Sequence, residues 1–269
     1  MQVCSLGDLV LDVVVRLEQP LAPGGDAASQ ITLGAGGQGA NVAAWVAALG
    51  GKARFLGRRA EDAAGRLAAA QLEGYGVELA GPVDASGNGV VVSLVEPGGA
   101  RTMCPDRGVA AELAAEQVEP PWLDGCDWLQ LSGYALFREP VRGAALRAAE
   151  IARGAGARVG VDLASWSGIR DMGPPALRAL LAELRPDVVF ANEDEERALG
   201  GPLAGTVWIL KRGGAGCVFD GEALPALAVT EVVDTTGAGD ALAAGWLVGG
   251  PELALEAAAR CIQRPGSMP

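Results

Sequence analysis

The sequence predicts an α/β fold: a mostly parallel central sheet with helices on both faces and a small lid of β-strands. Three observations lead there. From Cys126 onward, short apolar runs alternate with helical patterns, the order that builds parallel sheets from strand–helix–strand units. Fifty per cent of the residues are hydrophobic and 40 are glycine, which suits strands covered on both faces and joined by tight turns. Two apolar runs on either side of Pro97-Gly98-Gly99 form a hairpin signal that breaks the alternation, so an antiparallel pair should project from the main sheet. At 269 residues the chain is read as a single domain, 1–269, with lid strands over roughly 9–35 and 88–105.

The elements follow in order. Gln2 to Ser5 and Leu9 to Arg16 are strand runs interrupted by Gly7-Asp8, and Ser29 to Leu33 is a short extended piece after a Pro/Gly loop. A glycine-rich turn then opens the helical pattern from Gly39 through Trp45. Ala53 to Leu56 is a strand and Asp62 to Tyr75 a helix ending at Gly74 and Gly76. The hairpin arms are Gly89 to Glu96 and Ala100 to Cys104. Cys126 to Ser132 is a buried strand, and Pro140 at a helix N1 position begins a helix that stops at Gly154. Arg158 to Leu163, Asp187 to Phe190, Val207 to Lys211 and Gly216 to Phe219 are further strands. Pro175 to Leu184 and the stretch after Asn192 are helices between them. The β-branched run Val229 to Val233 is read as a last strand before the helices that start at Ala238 and Glu252.

Composition excludes several classes. A formal charge of −12 argues against a protein that wraps nucleic acid or an anionic membrane. There is no basic leader and no apolar run long enough to span a bilayer, so a cytoplasmic protein is expected. Five scattered cysteines suggest neither a disulfide framework nor a zinc set. Histidine is absent. Ser-His and Cys-His nucleophile pairs are thereby removed, and Asp and Glu are left as the acid–base groups.

Chemistry concentrates in Asp234-Thr235-Thr236-Gly237-Ala238-Gly239-Asp240. Small residues at a helix start let consecutive N–H groups of Gly237, Ala238 and Gly239 converge on an anion, where the helix dipole adds its positive end. Asp240, in the first helical turn, is placed to take the proton of an attacking hydroxyl beside a phosphoryl group. Asn192 and Glu195 lie where a parallel strand ends and a helix begins, the edge at which open α/β sheets bind ligands. There Glu195 would hold magnesium through water, although an acidic run at a helix start also serves the dipole alone. Gly34-x-Gly36-x-x-Gly39 satisfies the dinucleotide pattern literally, which would suggest an NAD-dependent dehydrogenase, but strands and a loop precede it where a first strand–turn–helix is required. Gln38 and Asn41 in that turn carry amides suited to hydroxyls.

Taken together, the motifs resemble the ribokinase or PfkB family of carbohydrate and nucleoside kinases. Gly36-Gly37-Gln38-Gly39-Ala40-Asn41-Val42-Ala43 looks like its first signature, Asp234 to Asp240 like its second, and Asn192-Glu193-Asp194-Glu195 like its N-x-x-E motif, in the family's order over nearly the whole chain. The resemblance implies the ribokinase-like three-layer fold and ATP-dependent phosphorylation of a sugar hydroxyl, with Asp240 as base and the Gly237–Asp240 amides as anion hole. It further implies that Asp12, Gly36, Gly37, Gln38 and Asn41 bind the acceptor. Asn192, Lys211, Gly213, Gly216 and Thr236 would line the nucleotide site, with ATP and Mg2+ as cofactors and K+ at the carbonyls of Asp234 and Thr236. Few residues follow Asp240, so a short cover over the adenine is expected. The alternatives are a kinase of nucleosides or sugar phosphates in the same family, the latter needing a basic pocket for which only Arg101 and Arg107 near the lid are visible, or a non-catalytic sugar-binding relative with a weakened ATP site. Apolar residues on the hairpin, Val91 and Leu94, suggest a homodimer through the lid.

Overall fold

The structure is a computed structural model that describes residues 1–98 and 100–269; Gly99 of the hairpin turn lies outside them. Fifteen strands and eight α-helices follow one another along the described chain. They begin β1 (Gln2–Leu6), β2 (Val10–Leu17), β3 (Ser29–Gly36), α1 (Gln38–Ala48), β4 (Lys52–Leu56), β5 (Arg59–Ala60), α2 (Ala63–Gly74), β6 (Glu78–Ala80), β7 (Val83–Asp84), β8 (Asn88–Val95) and β9 (Arg101–Gly108). The middle part holds β10 (Trp128–Ser132), α3 (Val141–Gly154), β11 (Arg158–Asp162), α4 (Trp166–Met172), α5 (Pro174–Leu184), β12 (Val188–Asn192) and α6 (Glu193–Leu199). The chain closes with β13 (Val207–Lys211), β14 (Cys217–Phe219), β15 (Glu222–Leu224), α7 (Ala238–Gly249) and α8 (Pro251–Cys261).

The main sheet has nine strands in the order β15-β14-β13-β12-β11-β10-β1-β4-β6. All are parallel except the pairings of β14 with β13 and β15. Alternate residues of β1 show the two buried faces. Val3 joins a core with Trp45 of α1 and Leu247 of α7, while Cys4 and Leu6 join a second core with Leu131 and the alanines of α3. After β1 the chain builds outward through β4 and β6, then returns to the other side of β1 with β10. This reversal opens a crevice beyond the carboxyl ends of β1 and β10.

A separate four-stranded sheet, β3-β2-β8-β9, is antiparallel except for β2 beside β8. Its register sorts side chains between two faces. Rows Ile31–Val15–Leu94–Thr102 and Leu33–Val13–Val92–Cys104 share one face, and Gln30–Arg16–Val95–Arg101 and Thr32–Val14–Ser93–Met103 the other. Two two-residue strands, β5 and β7, pair alongside.

Several expectations change. Val229 to Val233 is not a strand. β15 already ends the sheet, and the only backbone bonds at the run's end are from Val233 and Asp234 to the carbonyl of Ile262, at 2.8 and 3.3 Å. High β-propensity is overridden where the chain path ties the segment elsewhere, here to the end of α8 rather than to the sheet edge at β15. Val91 is buried rather than exposed, because its place in the register turns it to the other face from Leu94. Pro140 is the N-cap of α3 instead of its first residue, and α4 and β15 were not foreseen. Among the described residues no helix is long and apolar enough to cross a membrane, and all five cysteines are free.

Candidate active site

Four neighbouring parallel strands end in polar residues: Ser132 on β10, Asp162 on β11, Asn192 on β12 and Lys211 on β13. Ser132 pairs in register with Asp162, and Asn192 with Lys211. The carboxyl edge of the sheet thus gathers them into one row. Lys211 Nζ donates to the buried Asp162 carboxylate at 2.7 Å. Burial pulls the ammonium down, but Asp162 and Glu195 outweigh it and hold Lys211 protonated.

Helix α7 delivers its first turn to this edge. Gly237, at φ 77°, is its N-cap, and a Cβ there would lie 2.6 Å from Cα of Ser267, so a side chain is excluded on both counts. The Ala238 N–H makes a long bond of 3.3 Å to Thr235 O, whereas those of Gly237, Gly239 and Asp240 meet no acceptor among the described residues. A Cβ on Gly239 would lie 3.3 Å from Lys211 Nζ, so the ammonium stands directly beside these donors. Open amides, a helix N-terminus and an ammonium are together a donor set of the kind that suits phosphoryl oxygens.

Asp240 is half-buried in that turn. Its Oδ2 accepts from Asn41 Nδ2 at 2.7 Å, and Asn41 Oδ1 accepts from the buried Ser267 hydroxyl at 2.9 Å. Trp45 Nε1 fixes Ser267 in turn through its carbonyl, at 2.8 Å. Burial and the Asp162 charge push the Asp240 carboxyl up to about 7, against the Asn41 amide, Lys211 and Gln38. A carboxylate with that value is suited to exchanging a proton near neutrality.

The first glycine turn joins β3 to α1. A Cβ on Gly37, whose φ is 96°, would lie only 2.3 Å from Asp8 O, so glycine alone allows the turn to pass under that loop. Asp12 folds its carboxylate over Gly36, where any Cβ would overlap it. Burial pushes Asp12 up to about 6, with Arg101 opposing. Gln38 Oε1 accepts from the Ser132 hydroxyl, which ties α1 to the end of β10.

Glu195 is buried and accepts from Asn192 twice, from the backbone N–H at 2.8 Å and from Nδ2 at 2.9 Å, while the Asn192 side chain caps Glu195 N. This capping box satisfies the helix end locally. Burial raises Glu195, with Lys211 opposing. Gly213 and Gly216 flank the turn between β13 and β14, just beyond Lys211. The Asp234 carboxylate accepts from none of the amides of Gly237 to Asp240. It accepts from Thr236 N at 3.0 Å, Thr236 Oγ1 at 2.6 Å and Gly266 N at 3.0 Å, and pairs with Arg101 at 2.7 Å and Arg16 at 3.3 Å. Burial opposes its charge, but these donors hold it down at about 2. The Thr236 carbonyl accepts from the Cys261 thiol at 3.2 Å.

The family model for pfkB family carbohydrate kinases matches residues 1–264. The chain belongs to the pfkB family of carbohydrate kinases. An ATP-dependent ribose-1-phosphate kinase of Halopiger xanaduensis is 32% identical over 97% of this chain and 90% of that protein. A fructokinase of Klebsiella pneumoniae is 31% identical over 91% of this chain and 82% of its own length. The crystal structure of a probable sugar kinase protein from Rhizobium etli superposes with a TM-score of 0.88 at 25% identity, covering 100% of this chain and 94% of that one. This pfkB kinase has the ribokinase-like α/β fold and is an ATP-dependent sugar or nucleoside kinase.

Sequence reasoning named Arg107 but did not single out Ser132, Ser267, Arg16 or Asp8, nor the Asp8–Arg107 pairing. The last is bidentate, at 2.6 and 2.7 Å, and Arg107 also lies over the Tyr134 ring. Asp8 and Ser132 had one legible signal, since Ser132 ends an apolar strand and Asp8 closely follows one. Ser267 and Arg16 had none, because what they touch lies more than two hundred residues away in sequence.

Proposed function

We propose that this kinase transfers the terminal phosphoryl group of ATP to a hydroxyl of a sugar, with Asp240 as general base. The observation that carries this reading is the Asn41–Asp240 contact beside the open amides of α7. Asp240 accepts the hydroxyl proton as the acceptor oxygen bonds to phosphorus and the bond to the departing ADP oxygen breaks. The amides from Gly237 to Asp240 and the Lys211 ammonium receive the charge on the phosphoryl oxygens.

Asp12, Gly36, Gly37, Gln38 and Asn41 surround the acceptor, and the four-stranded sheet acts as its lid. Asn192, Lys211, Gly213, Gly216 and Thr236 flank the nucleotide. Magnesium, when bound, would supply neutralisation of the phosphate charge. No group of three or more Cys, Asp or Glu residues forms a metal cage among the described residues, which suits an ion that arrives on the nucleotide. Glu195, held at both oxygens by Asn192, would reach it through water. K+ would take the remaining lone pairs of the Asp234 and Thr236 carbonyls. A second copy of the chain is the proposed occupant of the lid's apolar outer face.

The test is ADP release by purified protein with magnesium-ATP and a panel of sugars and nucleosides. At least one sugar should support turnover, and Asp240→Asn should abolish it. Turnover with nucleosides alone, or an unimpaired Asp240→Asn, defeats the reading.

A further inference from the structure

Asp234 is a buried carboxylate just before the open amides that begin at Gly237. Left uncompensated, its negative charge would repel the phosphoryl oxygens that those amides are suited to hold. Lys211 does not answer it, because that ammonium is committed to Asp162. The answer comes from the lid. Arg16 and Arg101 flank Val95 in one row across β2, β8 and β9. Both donate to Asp234, Arg101 through Nη2 at 2.7 Å and Arg16 through Nη2 at 3.3 Å.

Arg101 does more than supply charge. Its Nη1 donates to Thr236 Oγ1, so one guanidinium fork spans the carboxylate and the hydroxyl of the residue that precedes Gly237. Thr236 closes the ring by donating to Asp234 Oδ1 from both Oγ1, at 2.6 Å, and N, at 3.0 Å. The turn that delivers the first amide of α7 is thus clamped from a strand of the other sheet, 133 residues away from Asp234.

The donor set leaves little for a free monovalent cation to do. Oδ1 of Asp234 already faces three donors, and Oδ2 accepts from Arg16 and from Gly266 N at 3.0 Å. The Thr236 carbonyl already accepts from the Cys261 thiol at 3.2 Å. An ion at the Asp234 and Thr236 carbonyls would also stand near a guanidinium that grips the Thr236 side chain, and like charges at such range repel.

We propose that Arg101 is a positioning residue for phosphoryl transfer, supplying from the lid the fixed positive charge that holds the Asp234–Gly237 turn and its amides in place, so that a monovalent cation at the carbonyls is dispensable. This goes beyond the kinase reading and rests on it, since the amides matter to turnover only where a phosphoryl group meets them.

The full chain tests this in KCl and in tetramethylammonium chloride of equal ionic strength. ADP release is measured with magnesium-ATP and fructose, ribose or ribose 1-phosphate, whichever turns over fastest, and thermal melts are run in the same salts without substrates. Parent kcat should differ by less than about twofold between the salts, with Tm unchanged. Arg101→Ala in tetramethylammonium chloride should lose about tenfold or more in kcat, with KM for the acceptor changing less. KCl, or guanidinium at a concentration that does not denature the parent, should restore about threefold or more of that loss, and KCl should raise the Tm of this variant by about 2 °C or more. Arg101→Lys keeps the charge without the fork and should fall between the two in kcat and in its response to KCl; it carries the test if Arg101→Ala does not fold.

A parent activated more than about twofold by KCl, an Arg101→Ala variant with parent kcat, or a loss that neither ion restores each overturns the proposal. The melts separate it from the kinase reading. Turnover by a parent that needs K+ leaves the kinase standing and removes the role of Arg101. Stabilisation by KCl of Arg101→Ala and not of the parent, without turnover of any acceptor, keeps Arg101 as the charge of this turn and removes the kinase reading.

Discussion

Asn41 Nδ2 donates to Asp240 Oδ2 at 2.7 Å across 199 residues of sequence. Helix α1 therefore fixes the carboxylate that α7 presents, and the amide favours its charged form. Removing that donor with Asn41→Ala should move the acidic limb of the kcat/KM profile upward by about one unit or less. A limb that stays in place would show that Asn41 does not govern the proton on Asp240.

Asp240 itself should set that acidic limb near its value of about 7, with kcat/KM falling about tenfold per unit below it. Asp240→Asn should lower kcat by about 100-fold or more.

The same group links stability to pH. Its folded value lies above the unfolded carboxylate value of 3.8, so the folded protein binds the extra proton between the two, and the stabilisation is lost as pH rises toward about 7. Asp240→Asn should therefore raise Tm relative to the parent at pH 8 and much less at pH 5. A Tm difference that is the same at both would contradict the assignment.

Asp234 has the opposite sign. It is held at about 2, below the same 3.8, so its contribution is present above pH 4 and disappears as pH falls through about 2. Asp234→Ala leaves the part-exposed Arg16 and Arg101 without their shared carboxylate, and losing hydrogen bonds to a charged group in this way costs about 1.5–3 kcal/mol. Urea denaturation at pH 7 should show a loss of that order, shrinking toward pH 3.

Lys211→Met should strand the buried Asp162 charge and reduce stability by about 3–5 kcal/mol. It should also raise KM for ATP more than KM for the acceptor, which steady-state kinetics at two saturating conditions would resolve.

The outer face of the lid exposes Ile31 and Leu33, at 60% and 53%, in rows with Val13, Val15, Val92 and Leu94. Exposed apolar faces of this kind commonly mark interaction sites, and the proposed occupant here is a second copy. Light scattering should give a dimer mass for the parent and a monomer mass for Ile31→Asp/Leu33→Asp; a monomeric parent would remove the proposal.

Much of the fold was legible because it rests on short-range signals. The apolar runs at Val159 to Val161 and Val188 to Phe190 are buried on both sheet faces, and Asp62 and Asn192 cap helices as their types suggest. The run Val229 to Val233 misled, because strand propensity does not reveal whether the chain path brings a segment to a sheet edge; this one is tied to Ile262 instead. The site was legible where its residues lie together in sequence, as in Gly237 to Asp240. It was not legible at Ser267, whose partner Asn41 is set by how α7, α8 and α1 pack.

The sequence by itself determined the alternation of strands and helices, the glycine turns that only a bare backbone can enter, and a carboxylate in the first turn of α7. These follow from residue type and spacing. Tertiary structure alone decided which charges meet. Strand order lined Ser132, Asp162, Asn192 and Lys211 along one edge, burial pushed Asp240 up, and register in the small sheet sent Arg16 and Arg101 to the same carboxylate. Electrostatic character depends on distance and desolvation, and neither is defined until the chain has folded.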